Sequence, residues 1–473
     1  MPLAPPPPVS TNPIGRLLDD LRAERAATVP FPPGDTKPDL DRTKRFFEDP
    51  VPVLLDSYER YGPVFSLRIF HGNVVWMLGP EANHHILVSN AQNFRWRDGH
   101  FGDLIPLLGD GLLTIDGEFH RRSRKAMLPM FHKERIAASV TTIVEEGTRA
   151  VDALTTDAYV DLYDWTRRLA LRIAMRALFG LDPDQANAKL DTAHAFETGL
   201  GYYAQDYFRQ TLRGPRTPFA RMQRARQQLD ELIFAEIRER RATGRRGDDL
   251  MSLLLDARDE DGGQLSDQHV RDEVMTLLFA GHDTTTSTVT FLMYELDRNP
   301  DVRAWLVEEL DDVIGRTAPL EREHLSGTAL PRLEMALDET LRMYPPAWVG
   351  PRKSVAPYEF NGHPVPGNIP VNYSSWASHR LPHVFPEPDA FRPERFTPEN
   401  KAELQKGAYV PFGGGSRTCI GMRFGQVEIR ALSALLLRRF RPEVEPGYRL
   451  KVRQMPTIGP RDGLPVRLRA RAA

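Results

Sequence analysis

Apolar and polar positions follow a helical period over most of the chain, and a strand-like pattern is clear in only one region. Residues 64–69 and 74–77 are rich in apolar and β-branched residues, and Gly72-Asn73 lies between them. This arrangement predicts a β-hairpin with Gly72 and Asn73 in the turn. Most of the segments that follow have the helical period. The pattern therefore predicts a mainly α-helical protein with small β-sheets.

Capping residues and prolines mark where the predicted helices begin and end. The longest helix starts after Ser266 and stops at Asn299-Pro300, and its length of about 33 residues corresponds to roughly 50 Å. Its middle, residues 275–293, is apolar or small on all sides, so we expect this helix to pass through the core. Other helices are predicted over residues 218–241, 300–315, 331–343 and about 420–440.

The composition is that of an ordinary globular protein. The chain has 473 residues and a net charge of −2, which argues against nucleic acid as the main partner. It has no apolar run long enough for a transmembrane helix, and its N-terminus does not resemble a secretory signal, so we expect a soluble, cytoplasmic protein. No linker divides residues 41–473, which predicts one domain preceded by a Pro-rich extension over residues 1–40. That extension is expected to pack on the body or to be disordered.

The chain contains a single cysteine, which excludes an intramolecular disulfide and every Cys-rich metal site. Cys419 follows three successive glycines and comes just before the last predicted helix. A thiolate at a helix N-terminus has a lowered proton affinity and is a good metal ligand. Arg417 adds a cation that can pair with an anionic group. From these residues alone, a buried thiol in a Gly-rich turn is an alternative interpretation that stays open.

The spacing of these residues is more specific than their composition. Residues 412–421 fit the pattern Phe-x-x-Gly-x-Arg-x-Cys-x-Gly, which resembles the haem-binding loop of the cytochrome P-450 superfamily. The resemblance implies that Cys419 is the axial ligand of the haem iron, that Phe412 shields its sulfur and that Arg417 binds a haem propionate.

Two further segments carry the same resemblance. Glu339 and Arg342 form an acid–base pair three residues apart on one predicted helix. Such a pair alone is usually exposed and contributes little to stability. They resemble the family's Glu-x-x-Arg pair, and residues 393–396 resemble its Pro-Glu-Arg-Phe segment. The resemblance implies that Glu339, Arg342 and Arg395 form a buried network that steadies the cysteine loop, so their role is structural.

The centre of the longest helix reads Ala-Gly-His-Asp-Thr-Thr over residues 280–285. Asp283 and Thr284 need polar partners at a buried helix centre, and a kink in which the threonine binds a carbonyl is one explanation. The segment also resembles the family's Ala-Gly-x-Asp/Glu-Thr-Thr signature. The resemblance implies that Ala280 and Gly281 make room for dioxygen, that Thr284 donates a hydrogen bond to it and that Asp283 relays protons.

Three more residues resemble propionate-binding positions of the family. His120 and Arg124 lie one helical turn apart, and Arg352 follows a Pro-rich segment. Arginine suits this role because its charge-assisted hydrogen bonds stabilise a buried carboxylate.

The resemblance implies a helix-rich triangular prism around haem b and a soluble, bacterial-type monooxygenase. The substrate would be a hydrophobic small molecule, either a terpenoid, a steroid, a fatty acid or a polyketide, and dioxygen would supply the inserted atom. Electrons would come from a ferredoxin or a similar donor with its NAD(P)H-dependent reductase. Two alternatives remain: a peroxygenase, isomerase or dehydratase on the same fold, and a haem-thiolate sensor without turnover.

Two surfaces are expected to serve these partners. The electron donor is expected to dock on the basic residues Arg121, Arg122, Lys125 and Arg423. Substrate contacts are expected from Phe101, Leu104, Ile105, Leu108, Leu277, Ala280, Thr284, residues 347–349, Thr457 and Ile458.

Overall fold

The computed structural model describes residues 6, 8–69, 72–205, 207–258 and 264–471. Helices dominate this part of the chain, as the hydrophobic pattern predicts. The α-helices are α1 (Pro13–Arg25), α2 (Leu40–Glu48), α3 (Pro50–Tyr61), α4 (Pro80–His84), α5 (Ile105–Leu108), α6 (Gly117–Met127), α7 (Lys133–Asp152), α8 (Leu162–Ile173), α9 (Pro183–Lys189), α10 (Thr192–Gly201), α11 (Tyr207–Thr211), α12 (Pro218–Thr243), α13 (Leu250–Asp256), α14 (Asp267–Arg298), α15 (Pro300–Val313), α16 (Pro331–Met343), α17 (Ser375–Ser378), α18 (Pro398–Glu403) and α19 (Met422–Arg439).

The strands are short and form small sheets. They are β1 (Gly34–Asp35), β2 (Val64–Ile69), β3 (Gly72–Met77), β4 (Phe94–Arg95), β5 (Tyr159–Asp161), β6 (Val349–Ser354), β7 (Tyr358–Phe360), β8 (His363–Val365), β9 (Pro370–Ser374), β10 (Phe440–Val444), β11 (Val452–Arg453), β12 (Gly459–Pro460) and β13 (Pro465–Ala470). The largest sheet has the order β1-β2-β3-β9-β6-β4, and a second has the order β10-β13-β5. Pairs β11-β12 and β7-β8 complete the described sheets.

Helix α14 runs through the core, as its sequence predicts. The Ser266 hydroxyl caps it by accepting a hydrogen bond from the His269 backbone N–H at 3.1 Å. Almost all side chains in its central part are buried, and it packs against α8, α16 and α19. The helix therefore places residues 280–285 deep inside the molecule.

The predicted hairpin is present, but its turn lies elsewhere. Strands β2 and β3 pair antiparallel, and Ile69 faces Gly72 in the ladder. Gly72 and Asn73 thus belong to β3, so the prediction that they form the turn is wrong, and residues 70–71 lie outside the described residues. The carboxylate of Glu24 on α1 accepts a hydrogen bond from the Asn73 side-chain amide at 2.9 Å, a long-range contact that holds this residue in the strand.

The N-terminal residues contribute ordered elements to this fold. Helix α1 packs against β3 and α11, and β1 pairs in parallel with β2. None of the helices in the described part of the chain is both long and apolar enough to cross a lipid bilayer.

Candidate active site

A cavity of about 590 Å³ lies between α14 and the loop that precedes α19. Ala280, Gly281 and Thr284 line it on the side of α14, and Phe412 and Cys419 line it on the side of the loop. The structure thus brings the two segments with the most specific sequence patterns together across one internal space. They are about 130 residues apart in the chain, so only the tertiary fold could show this.

Cys419 lines this cavity. Its backbone N–H donates to the Phe412 carbonyl at 2.9 Å, which closes the loop around it. The thiol is accessible, yet the surrounding protein desolvates it and raises its pKa, against the opposing effects of the Gly421 backbone and Arg124. The described residues contain no group of three or more His, Cys, Asp or Glu side chains that could hold a metal. A metal bound here would therefore need most of its ligands from a non-protein group.

The glycines of the loop meet two separate structural needs. Gly413 and Gly415 have φ values of +68° and +60°, in the left-handed region that favours glycine. A Cβ atom at Gly415 would also lie 2.3 Å from the Leu87 carbonyl oxygen. The Gly-rich sequence is thus needed to bend the chain sharply beside Cys419.

Arg417 projects from the same loop to the cavity wall. Its Nη2 donates to Asp116 Oδ1 at 2.5 Å and to the Ile115 carbonyl at 2.9 Å. Its guanidinium also lies 4.9 Å from the Trp96 ring centroid. Arg417 is therefore already paired with an acid, a contact that the sequence pattern did not indicate.

Arg352 lies behind Trp96, outside the set of described residues that line the cavity. Its guanidinium stacks on Trp96 at 3.7 Å and donates to the Pro351 carbonyl at 2.9 Å. Burial lowers the pKa of both Arg352 and Arg417 to about 10, because each cation has lost most of its hydration. The propionate role of Arg352 thus stays a prediction.

His120 and Arg124 line the cavity from α6. Arg124 donates to the Thr418 carbonyl at 2.7 Å and so contacts the residue next to Cys419. Burial, together with the charges of Arg417 and Arg124, lowers the pKa of His120 to about 3. His120 is therefore neutral at physiological pH and offers one N–H donor.

The charges around this part of the cavity do not balance. Within the described part of the chain, Arg124 and Arg352 form no ion pair within 4.0 Å, whereas Asp116 neutralises Arg417. Among the described residues, the buried Arg352 and the half-buried Arg124 therefore lack a carboxylate partner, an arrangement that is costly unless an anion is bound. A flat ligand with two carboxylates and a central metal that accepts one thiolate fits this site, and haem b has these properties.

Thr284 faces the cavity one turn after Ala280. Its hydroxyl donates to the Ala280 carbonyl at 2.8 Å, the local bond expected for a buried helical threonine. This bond uses the hydroxyl hydrogen, so the oxygen can accept a hydrogen bond from the cavity side. Gly281 has only the Ala174 methyl near the position of a Cβ, which leaves room beside it.

Asp283 is fully buried and is not among the described residues that line the cavity. The Thr457 hydroxyl donates to its Oδ2, and its Oδ1 lies 3.8 Å from Arg167 Nε and 3.9 Å from Arg453 Nη2. Although burial opposes ionisation, these two arginines, His282 and Thr457 hold the pKa of Asp283 below its usual value. It is therefore an ionised carboxylate that points in a different direction from the adjacent Thr284 on α14.

Glu428 on α19 is a cavity-lining acid that the sequence analysis missed. Burial raises its pKa to about 8, and the Thr285 hydroxyl donates to its Oε2 at 3.0 Å. Its Oε1 has no hydrogen-bond partner among the described residues. An acid four residues after Phe424, on the apolar face of a predicted helix, is the signal that could have identified it.

The predicted acid–arginine network of Glu339, Arg342 and Arg395 is present. Arg342 Nε and Nη2 donate to the Glu339 carboxylate at 2.7 and 2.8 Å, and Arg395 Nε lies 3.3 Å from Glu339 Oε1. Glu339 and Arg342 are fully buried. The Arg342 Nη1 also donates to the His379 carbonyl at 3.0 Å, so the network joins α16 to the segment after α17.

Most of the predicted substrate contacts line the cavity, with three exceptions. Ile105, Leu108 and Ile458 are not among the described lining residues, so this part of the prediction is wrong. Leu108 and Ile458 pack in the hydrophobic core. Neighbouring residues of their segments form the cavity wall instead. Phe46 and Trp76 form a part of the wall that the sequence analysis did not include.

A sequence profile of the family described as cytochrome P-450 matches residues 45–459. Cyclooctatin synthase of Streptomyces melanosporofaciens is 34% identical over 86% of this chain and 89% of its own length. Cyclooctat-9-en-7-ol 5-monooxygenase of the same organism is 31% identical over 90% of this chain and 92% of its own length.

A similar fold is found among solved structures. The retinoic-acid-bound cyanobacterial CYP120A1 superposes with a TM-score of 0.82 at 28% sequence identity. The alignment covers 94% of this chain and all of that one. The predicted fold class, a helix-rich protein with small sheets, is therefore confirmed.

Proposed function

Since this chain belongs to the cytochrome P-450 family, and is therefore an oxidoreductase of the monooxygenase type, we propose that it binds haem b through Cys419 and oxygenates a largely hydrocarbon small molecule. One observation carries the proposal. Cys419, Thr284 and the cations Arg124 and Arg417 all line one cavity.

Haem with a thiolate ligand supplies dioxygen activation and transfer of one oxygen atom to the substrate, and the protein supplies binding, protons and orientation. Burial raises the pKa of Cys419, so the metal-free protein holds it as a thiol. Cys419 would have to lose this proton to hold the iron, so cofactor binding would be coupled to proton release. Arg124, Arg417 and His120 would hold the propionates. Arg352, which stacks on Trp96, would add a further positive charge nearby.

Thr284 and Asp283 would share the proton transfer. The Thr284 oxygen can accept and pass on a proton at the cavity wall, while the carboxylate of the adjacent Asp283 lies beside Arg167 and Arg453. Asp283 is ionised, so it would first take up a proton, and either a rotation of its side chain or a water molecule in the cavity would then carry that proton to Thr284.

The substrate class is inferred from the walls and from the names of the relatives. Phe101, Leu104, Leu277 and Trp348 line the cavity with apolar surface. One relative acts, by its name, on cyclooctat-9-en-7-ol, and a structural neighbour binds retinoic acid. We therefore place the substrate among bulky, unsaturated terpenoid-like hydrocarbons with one polar group.

Replacing Thr284 with alanine is expected to separate electron consumption from product formation. Loss of the hydroxyl removes proton delivery at the cavity wall, so the product formed per NAD(P)H should fall about tenfold or more, and hydrogen peroxide should rise. Product and peroxide are measured together, with redox partners and a substrate found by spin-shift screening.

The matched control is Thr288→Ala, because the Thr288 hydroxyl also lines the cavity and donates to a helix carbonyl, that of Thr284, at 3.0 Å. Thr288→Ala should leave the amount of product formed per NAD(P)H near the wild-type value. Full activity of wild-type protein with peroxide alone, and none with NAD(P)H and donors, would support a peroxygenase instead. Unchanged function in Thr284→Ala would favour a sensor.

The electron donor is proposed to bind the basic surface near the cysteine loop. Arg121 and Arg122 both bind Glu118, whose pKa these contacts lower to about 2, so this trio carries a net charge of only +1. Lys125 and Arg423 are exposed and complete the surface. Lys125 and Arg423 therefore provide most of the positive charge that an acidic donor can contact.

Lys125→Glu is expected to slow reduction by a ferredoxin about tenfold at low salt, and the difference should shrink as ionic strength rises. Stopped-flow reduction at several salt concentrations measures this. Arg216→Glu, in the exposed loop between α11 and α12, makes the same charge change and should have little effect. Reduction rates that depend on neither salt nor Lys125 would refute this docking surface.

A further inference from the structure

Helix α1 forms part of the cavity wall although it precedes the residues that match the family profile. Thr11, Pro13, Arg16 and Asp20 line the same cavity as Cys419. This wall therefore comes from a segment that the profile does not cover.

Arg16 fastens α1 to the segment that precedes α5. Its Nη1 donates to the Asp98 carbonyl at 2.7 Å, and its Nη2 donates to the Gly99 carbonyl at 3.0 Å. Its Nε lies 2.9 Å from Asp103 Oδ1, and the side chain is only 13% exposed. A single guanidinium thus holds backbone and side-chain oxygens across one strap, which we define as residues 97–103.

The strap is shaped around this guanidinium. A Cβ atom at Gly102 would lie 2.3 Å from Arg16 Nη2 and 2.2 Å from the Arg97 carbonyl oxygen. Glycine at this position therefore leaves the space that the arginine occupies, which indicates a close-packed contact.

The other end of α1 is tied to the β2–β3 hairpin. Glu24 forms an ion pair with Arg68 and accepts hydrogen bonds from the Asn73 side chain at 2.9 Å and its backbone N–H at 3.3 Å. Ile69 and Asn73 of this hairpin also line the cavity. Helix α1 therefore bridges two parts of the wall, the strap and the hairpin.

The strap carries side chains that face the substrate space. Phe101 lines the cavity and stacks on Trp96 with ring centroids 4.7 Å apart, and Trp96 in turn supports Arg352. Movement of the strap would thus open the cavity wall at Phe101 without breaking the loop that holds Cys419.

We propose that Arg16 is a positioning residue that keeps the strap closed on the cavity, so that release of its contacts admits bulky hydrophobic ligands. The proposal deepens the proposed function, because it assigns α1 a role in substrate access to the same site. Loss of charge-assisted bonds lowers the free energy of local opening, and the rate at which large ligands arrive rises accordingly.

The test uses the full-length ferric haem protein and rapid mixing with two iron ligands of different size, 4-phenylimidazole and cyanide. Arg16→Ala is expected to raise the association rate of 4-phenylimidazole about tenfold and that of cyanide less than about twofold. The control is Arg22→Ala on the same helix, whose side chain is 73% exposed and pairs with Asp19 three residues earlier, and it should change neither rate. Equal rates in Arg16→Ala and wild type, or an equal rise for both ligands, would overturn the proposal.

Hydrogen exchange provides a readout that needs no haem. Amides of residues 97–103 should exchange faster in Arg16→Ala than in wild type or Arg22→Ala, and unchanged exchange would overturn the proposal. If Arg16→Ala does not fold, Glu24→Gln takes its place in this test. This substitution weakens the other end of α1 and should also speed the exchange of these amides. Wild-type protein that shows no azole spectrum would contradict the proposed haem function alone, because the exchange measurement would still test the strap.

Discussion

Replacing Cys419 with serine is expected to abolish thiolate ligation and with it the oxygenase activity. A serine hydroxyl is a far weaker acid than a thiol and does not donate electron density to iron as a thiolate does. Product formation should fall by at least about 10³-fold, equivalent to about 4 kcal/mol of transition-state stabilisation. The absorbance spectrum of the reduced, CO-bound protein should lose its thiolate form.

The chain offers a clear basis for this test because Cys419 is its only cysteine. No other thiol can substitute for it. Ser416→Ala, at an exposed position in the same loop, is the matched control and should keep the wild-type spectrum. A thiolate spectrum that persists in Cys419→Ser would refute the assignment of Cys419 as the iron ligand.

The second large effect is expected from Glu339→Gln, which should destabilise the fold. The Glu339 carboxylate accepts from Arg342 at 2.7 and 2.8 Å and from the Arg392 backbone N–H at 2.9 Å, and Arg395 lies 3.3 Å away. Removal of its charge leaves Arg342 as a buried cation without a full partner, which costs about 3–5 kcal/mol. Denaturant titration should show a lower midpoint, and heating should release haem at a lower temperature.

Glu394→Gln is the control for this loss of charge. Glu394 pairs with Arg392 at 3.0 Å, but its side chain is 61% exposed, so its removal should change stability by less than about 1 kcal/mol. Folded Glu339→Gln protein should still give the thiolate spectrum, because the network is structural. Unchanged stability together with lost turnover would contradict that role.

Much of the fold could be predicted because its signals are local. The start and end of α14 follow from the Ser266 cap and from Pro300, which acts within one helical turn. The hairpin turn was placed incorrectly, because the contact between Glu24 and Asn73 joins residues that are distant in sequence.

The site was predictable only where one continuous segment carries it. Residues 412–421 contain the ligand, the glycines and Arg417 in a single loop, so their spacing is sufficient to identify them. Asp116 and Glu428 were missed because their importance depends on partners from other elements. A charged residue has no readable role until its neighbours and its burial are known.

The sequence by itself determined the helical class, the position of the lone cysteine and the polar centre of α14, since these depend on local periodicity and short-range spacing. The tertiary structure decided which way each polar side chain faces. Thr284 lines the cavity while the adjacent Asp283 turns to Arg167 and Arg453, because successive residues on a helix point about 100° apart and packing selects the buried face. It also placed Arg16 of the N-terminal segment in the cavity wall, a contact set by long-range hydrogen bonds rather than by any local pattern.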